Sequence, residues 1–208
     1  MPAAIAPALL WVIPLLGGYL LGSIPFGVVL TRIAGVGDIR AIGSGNIGAT
    51  NVLRTGRKGL ALATLLLDGI KGALAVLIAR KVGTALAPGF GWEYIAAIGA
   101  VAGHVFPCWL RFRGGKGVAT ALGAFIALSP PMGAVATVAW LAAAGLSRTS
   151  SVGGMACVLA GPVFAIVESR QTLAATTAAI AVLVVARHRD NIRRLVAGTE
   201  PKIGASKN

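Results

Sequence analysis

The chain has 208 residues, 56% of them hydrophobic and 12% charged, with a formal net charge of +13. A soluble domain carries roughly twice that charged fraction, so the composition and a mean hydropathy of +0.83 exclude an ordinary soluble fold. The positive charge lies in short segments between apolar blocks, with no basic arm and no aromatic-interleaved sheet motif, which excludes a nucleic-acid binder.

Seven apolar stretches can be drawn, at 9–31, 59–79, 94–110, 117–128, 132–146, 152–167 and 172–187. They predict an all-α integral membrane protein, a polytopic bundle of about seven transmembrane helices in one domain over 1–208. The first three are long enough, or nearly so, to cross a bilayer at about 1.5 Å of rise per residue. The fourth is too short alone and suits a partly re-entrant helix packed against protein, so five to seven spans fit the pattern. No Lys or Arg precedes the first stretch, which is itself long enough to span, so no cleavable signal peptide is expected.

Charge selects among these topologies. With seven spans and the N-terminus outside, one side holds Arg32, Arg40, Arg54, Arg57, Lys58, Arg111, Arg113, Lys116 and Arg148. The same side holds Arg187, Arg189, Arg193, Arg194, Lys202 and Lys207. The other side holds only Arg80, Lys81 and Arg170, set against Glu93 and Glu168. The positive-inside rule then predicts an outside N-terminus and a cytoplasmic C-terminus. All the polar-rich loops share that cytoplasmic face.

In chain order, the first of these loops reads GSGNIGATNVLR (43–54). Its small residues, among them Ser44, Gly45 and Asn46, allow backbone N–H groups to converge on an anion, and Arg54 supplies a bidentate fork. Within the second stretch, Asp68 and Lys71 stand three residues apart. Each is costly alone in the bilayer, so they are expected to neutralise one another, as a structural pair or a wall of the site.

The second loop follows in GHVFPCWLRFRGGKGVAT (103–120), with Arg113, Gly114, Gly115, Lys116 and Gly117 as phosphate-binding candidates. It is not a Walker A loop. Gly117 stands where Ser or Thr would bind Mg²⁺, and no glycine occupies position 110. His104 reads as a packing histidine. Cys108 and Cys157 have no neighbour at metal-ligand spacing and also read as packing, so no metal and no cofactor are expected.

The third loop, SRTSSV (147–152), is a hydroxyl-rich turn that by itself suits helix capping. The fourth is RHRDNIRRLVAGTE (187–200). There His188 and Asn191 share a helix face and suit holding and deprotonating a hydroxyl.

Together with GSIPFG (22–27), LLLDGIKG (65–72) and TSSVG (149–153), these motifs resemble, over essentially the whole chain, a bacterial family. It is that of the membrane glycerol-3-phosphate acyltransferases that use acyl phosphate, the PlsY type. One departure is Ile47, where the family has a proline after the Asn of the first motif; no reactive group is lost. The resemblance implies a multi-pass enzyme of the bacterial inner membrane with its site at the cytoplasmic face. It would acylate the 1-position of glycerol 3-phosphate, releasing lysophosphatidic acid and inorganic phosphate. The acyl phosphate would come from a soluble synthase, and membrane lipids would surround the acyl chain.

Carried over by residue, the resemblance gives Ser44, Arg54 and Lys116 with its glycines as substrate-binding groups. It gives Ser151, His188 and Asn191 as catalytic groups, and Glu200 as a structural one. The chemistry agrees: an acyl phosphate is already activated, so the protein must bind two anions, exclude water and steer one hydroxyl. Two alternatives are weaker. A His-x4-Asp acyltransferase fails because Trp109 and Arg193 stand where the Asp would be. A transporter of a phosphate-bearing or other organic anion would line a midplane cavity between repeated halves, and no internal repeat is visible.

Overall fold

The structure is a computed structural model that describes residues 7–204; Lys207, counted above with the basic tail, lies outside them. The described residues are helical, in the order α1 (Pro7–Gly22), α2 (Phe26–Ile33), α3 (Ala49–Leu53), α4 (Lys58–Leu86) and α5 (Trp92–Val105). They continue as α6 (Val118–Leu128), α7 (Pro130–Ser147), α8 (Ser150–Val167), α9 (Gln171–Arg187) and α10 (Arg189–Val196). Every one of the seven apolar stretches forms helix.

Five segments are long and apolar enough to cross a membrane, or six if α9 and α10, which meet at 60°, count as one. Among them is α1 with α2, taken together. Large apolar side chains such as Leu62, Leu66 and Ile78 on α4, and Val163 and Ile166 on α8, face outward. That is the arrangement a lipid-embedded bundle requires, and the chain is a multi-pass membrane protein.

The first stretch is not one continuous helix. Pro25 lacks an N–H and disfavours helical geometry at Ile24, so α1 ends at Gly22 and α2 restarts at Phe26. Backbone groups released within a bilayer need partners. Ile24 O accepts Lys71 Nζ at 2.7 Å, while the Ser23 hydroxyl donates to Leu20 O at 2.7 Å and accepts Trp109 Nε1 at 2.8 Å.

α1 lies against α5 at near-backbone contact: a Cβ on Gly22 would strike Ala100, and one on Gly103 would strike Tyr19 O. Small residues at such crossings replace the hydrophobic drive that is absent between helices in lipid. α6 has 11 residues, about 16 Å of helix, roughly half a hydrocarbon core. It is inserted along α4, and the Arg80 guanidinium donates to Ala127 O at its far end, 2.8 Å away. Because α6 is short, the loop before it reaches inward to the level of His104.

The four polar loops meet at one end of the bundle. Thr50 and Ser150 hydroxyls lie 3.1 Å apart, joining the first loop to the third. Lys202 Nζ donates to Ser147 O at 3.1 Å and Ile203 N to Arg148 O at 2.7 Å, so the C-terminal tail is laid across the α7–α8 turn.

Candidate active site

His188 stands at the joint between α9 and α10 and is 2% exposed. Its Nδ1 lies 2.8 Å from Val184 O. A carbonyl only accepts, so Nδ1 carries the proton and Nε2 presents a lone pair. A Cβ on Gly154 of α8 would sit 3.4 Å from that Nε2, so the glycine keeps space open in front of it. Burial pushes the His188 pKa down to about 4; the Lys116 charge lowers it further, while the Val184 carbonyl and Glu200 act the other way. At neutral pH the ring is therefore uncharged and accepts a hydrogen bond through Nε2.

One turn onward, Asn191 donates from Nδ2 to Glu200 Oε1 at 2.6 Å. Ser151, at the start of α8, donates to the same oxygen at 2.7 Å, and Arg194 Nε donates to Oε2 at 2.8 Å. Burial opposes the Glu200 charge, but hydrogen bonds from Asn191, Ser151 and Arg194 together with the Arg194 charge hold its carboxyl below the usual range. With one donor of each bonded to Glu200, Asn191 keeps its Oδ1 and a second N–H, and Ser151 keeps its oxygen lone pairs. Two neutral acceptors and His188 Nε2 form a set suited to a hydroxyl donor.

The second loop supplies the charge. Arg111 and Phe112 take left-handed backbone (φ 53° and 61°), turning the chain back toward α5. Gly114 N then donates to Val105 O at 3.2 Å and Gly115 N to His104 O at 3.0 Å. This corrects the expectation that Gly114 and Gly115 offer their N–H groups to a phosphate: both are committed to the end of α5. Gly117 (φ 89°) begins α6. Lys116 between them is half-buried; burial lowers its pKa to about 8, Glu200 raises it, and Arg194, Arg54 and Arg187 lower it. An ammonium surrounded by three guanidinium groups and a single carboxylate is a site short of negative charge.

The first loop is tied by Asn51, which is buried. Its Oδ1 accepts Ser44 N at 3.1 Å, and its Nδ2 donates to Ile39 O and Ile42 O at 3.0 and 2.9 Å. The Ser44 hydroxyl lies 3.4 Å from the same Oδ1. The Arg54 side chain packs over Gly43 (φ 60°), where a Cβ would come within 2.8 Å of its Cδ. Asn46 follows, half-buried, on the turn into α3.

The expected site residues thus separate into three groups. His188, Asn191, Ser151, Glu200 and Lys116 converge, with Arg54 close enough to Lys116 to depress its pKa. Gly45, Arg113 and Gly114 instead line a neighbouring cavity of about 550 Å³ together with Asp38, Arg40 and Arg187. Asp68 and Lys71 form a buried ion pair of 2.7 Å behind the second loop, as the sequence predicts, but with His104 Nδ1 3.6 Å from the same Asp68 oxygen.

Arg187, Arg194 and Gly154 escape the sequence reading, and so does the place of the packed His104 beside Asp68. Arginines in a basic tail look like membrane-exit residues. No motif spacing singles out Gly154 or the neighbour of His104, since each meets a distant segment.

Comparison with known proteins identifies the family and the fold. A family model described as glycerol-3-phosphate acyltransferase matches residues 12–198. A glycerol-3-phosphate acyltransferase of Rhodospirillum rubrum is 51% identical, covering 99% of this chain and 96% of the relative. One from Cereibacter sphaeroides is 55% identical over 94% of this chain and 96% of its own. The crystal structure of PlsY, an integral membrane glycerol 3-phosphate acyltransferase, in its glycerol 3-phosphate form superposes with a TM-score of 0.84. It has 36% identity over 92% of this chain and 94% of that one. The lysophosphatidic acid form gives 0.82 and 34% over the same coverage. A membrane bundle, a neutral histidine beside a carboxylate-held Ser and Asn, and these matches along nearly the full length lead to one conclusion: the chain belongs to the glycerol-3-phosphate acyltransferase family.

Proposed function

We propose that the protein transfers a fatty acyl chain from acyl phosphate to the 1-hydroxyl of glycerol 3-phosphate, giving lysophosphatidic acid and inorganic phosphate. The observation that carries the reading is Glu200 holding Ser151 and Asn191 on one oxygen, with His188 and Lys116 near enough for each to feel the Glu200 charge. Lys116 and Arg54 bind phosphate oxygens, and Ser44 closes the first loop around them. Gly117 places Lys116 at the start of α6. Arg113 draws anions into the adjoining cavity, whose wall includes Gly45 and Gly114.

In the reaction the hydroxyl oxygen attacks the acyl carbon, the bond from that carbon to the bridging phosphate oxygen breaks, and phosphate leaves with the electron pair. The hydroxyl proton must go to a base. Two bases stand in the site, His188 Nε2 and the acceptor's own phosphate; in this reading the phosphate takes the proton while His188 Nε2 orients the hydroxyl, and the acid limb of the pH profile separates the two. No covalent enzyme intermediate is needed, because the donor is already a mixed anhydride.

In this reading the seven apolar stretches are seven crossings of the bacterial inner membrane, the short α6 completing its crossing packed against α4 rather than lipid, with the N-terminus outside and the site at the cytoplasmic face. Support comes from the fifteen basic residues on one side of the apolar stretches and from the meeting of all four loops at one bundle end. A cytoplasmic site meets a water-soluble acceptor there, and a donor made by a soluble synthase, while the acyl chain remains in lipid. Purified protein incubated with glycerol 3-phosphate and either acyl phosphate or acyl-CoA tests the reading. Lysophosphatidate from acyl phosphate alone is the expected result, and no product from either donor in a folded sample overturns it.

A further inference from the structure

Behind the second loop, His104 closes the end of α5 with only 4% of its surface exposed. On one side its Nε2 faces Gly115, where any Cβ would collide with the ring. Gly114 and Gly115 are held on the same helix end by bonds from their N–H groups to Val105 O and His104 O. On the other side His104 Nδ1 lies 3.6 Å from Asp68 Oδ1, beyond hydrogen-bond distance, and has no hydrogen-bond partner among the described residues. Asp68 is in turn fixed by Lys71 at 2.7 Å, and Lys71 Nζ by Ile24 O in the break between α1 and α2.

A line of contacts therefore runs from the broken first helix to the back of the loop: Ile24 O bonded to Lys71, Lys71 paired with Asp68, the His104 ring 3.6 Å from Asp68, and Gly115 packed on that ring. It ends one residue before Lys116. A simple packing role does not account for it. A leucine of similar volume would fill the space without stranding a carboxylate beside an unpartnered imidazole nitrogen, and buried polar groups are costly unless used.

The same α4 turn also holds the other end of the loop. Gly69 and Gly72 touch Gly123 and Thr120 of α6 at backbone distance. Both exits of residues 111–117 are thus referenced to α4, one through packed glycines and one through the Asp68–His104 pair.

From this arrangement we infer that His104, set by Asp68, is a positioning residue that fixes the height and orientation of Lys116 for an anionic phosphate group. The inference rests on the functional reading above only in assigning the phosphate to Lys116. His104 touches no substrate; it acts through Gly115.

The test compares His104→Leu with His104→Gln, which restores a polar tip against Gly115, and with Gly115→Ala, which pushes the ring and loop apart from the loop side. Inorganic phosphate binding is measured by calorimetry on the purified protein without any acyl donor, alongside thermal unfolding and, with substrates, the split between KM and kcat. Binding of inorganic phosphate is independent of which acyl donor is used, so failure of the functional reading is separable from failure of this one.

His104→Leu and Gly115→Ala are expected to weaken phosphate binding and raise the KM for glycerol 3-phosphate about tenfold, as a displacement near 1 Å would, with kcat changed much less. His104→Gln is expected to recover most of the loss at an unchanged unfolding temperature. Phosphate affinity and KM within twofold of the parent in the His104→Leu or the Gly115→Ala protein overturn the inference. So does a His104→Gln protein as impaired as His104→Leu. If His104→Leu does not fold, His104→Ala, which vacates the space against Gly115, takes its place with the same expected and overturning results.

Discussion

Ser151 at the head of α8 and Asn191 on α10 donate hydrogen bonds to one and the same oxygen, Oε1 of Glu200, at 2.7 and 2.6 Å. That shared acceptor fixes the rotamers of the Asn191 amide and the Ser151 hydroxyl together. It also locks α10 to α8 by way of the C-terminal tail. In the proposed reaction Glu200 thereby orients both side chains without taking part in the chemistry itself.

Glu200→Gln is therefore expected to lower both turnover and stability. An amide in place of the carboxylate keeps one acceptor but loses the charge that holds Arg194 and balances Lys116. A hydrogen bond to a charged group is worth about 1.5–3 kcal/mol, and the Glu200 side chain is 7% exposed, so little solvent screens it. Thermal unfolding in detergent should show a drop of several degrees, and kcat/KM should fall by roughly tenfold to a hundredfold. An unchanged unfolding temperature contradicts the bracing role.

Lys116 provides a pH signature. It is charged below a pKa of about 8 and neutral above it, so attraction for phosphate is present at pH 7 and fades as pH rises through 8 in the free enzyme. The kcat/KM for glycerol 3-phosphate should fall about tenfold per pH unit on that limb. A bound dianion raises the pKa, so the limb in kcat alone lies at higher pH. Lys116→Arg should move the alkaline limb beyond reach, because guanidinium stays charged. A limb unchanged in that variant removes Lys116 as its source.

His188 and the substrate phosphate differ on the acid side. With phosphate as the base, kcat/KM falls below about pH 6, where the monoester gains its second proton. With His188 as the base, activity persists to about pH 4. A phosphonate analogue with a higher second pKa should shift the limb upward in the first case and leave it in place in the second. Lys116→Ala and His188→Ala should each abolish turnover while the protein still folds. Near-normal turnover in both contradicts the site assignment.

Gly154→Ala is predicted to impair catalysis without unfolding the helix. The added Cβ would lie 3.4 Å from His188 Nε2 and 2.9 Å from a Val118 methyl, narrowing the space in which a hydroxyl must sit. Turnover should fall about tenfold or more, since reaction geometry tolerates little displacement, while far-UV circular dichroism is unchanged. Wild-type turnover in this variant means the hydroxyl does not approach through that space.

Much of the molecule is legible in the chain because lipid imposes one-dimensional rules. The apolar stretches all become helices, since a backbone in hydrocarbon must satisfy its hydrogen bonds within each segment. The Asp68–Lys71 pair is legible because the bilayer makes each charge intolerable alone at i, i+3 spacing. The convergence of Lys116, His188, Asn191 and Ser151 follows the family motifs. What did not follow was the break at Pro25 inside an apolar block, because the side-chain donor to Ile24 O, Lys71 Nζ, is supplied by another helix.

The sequence by itself determined the membrane class, the helical stretches and the motif residues that gather at one end of the bundle, through hydropathy, charge sidedness and motif order. Only the tertiary structure decided how those residues present their atoms. It turned Gly114 and Gly115 from candidate donors into anchors on α5, since their N–H groups are taken by Val105 O and His104 O. It made Glu200 the common acceptor of Ser151 and Asn191, and it set the buried His104 behind Lys116. The physical reason is the same in each case. A hydrogen bond or a close contact between distant segments depends on three-dimensional approach, and no local spacing along the chain encodes it.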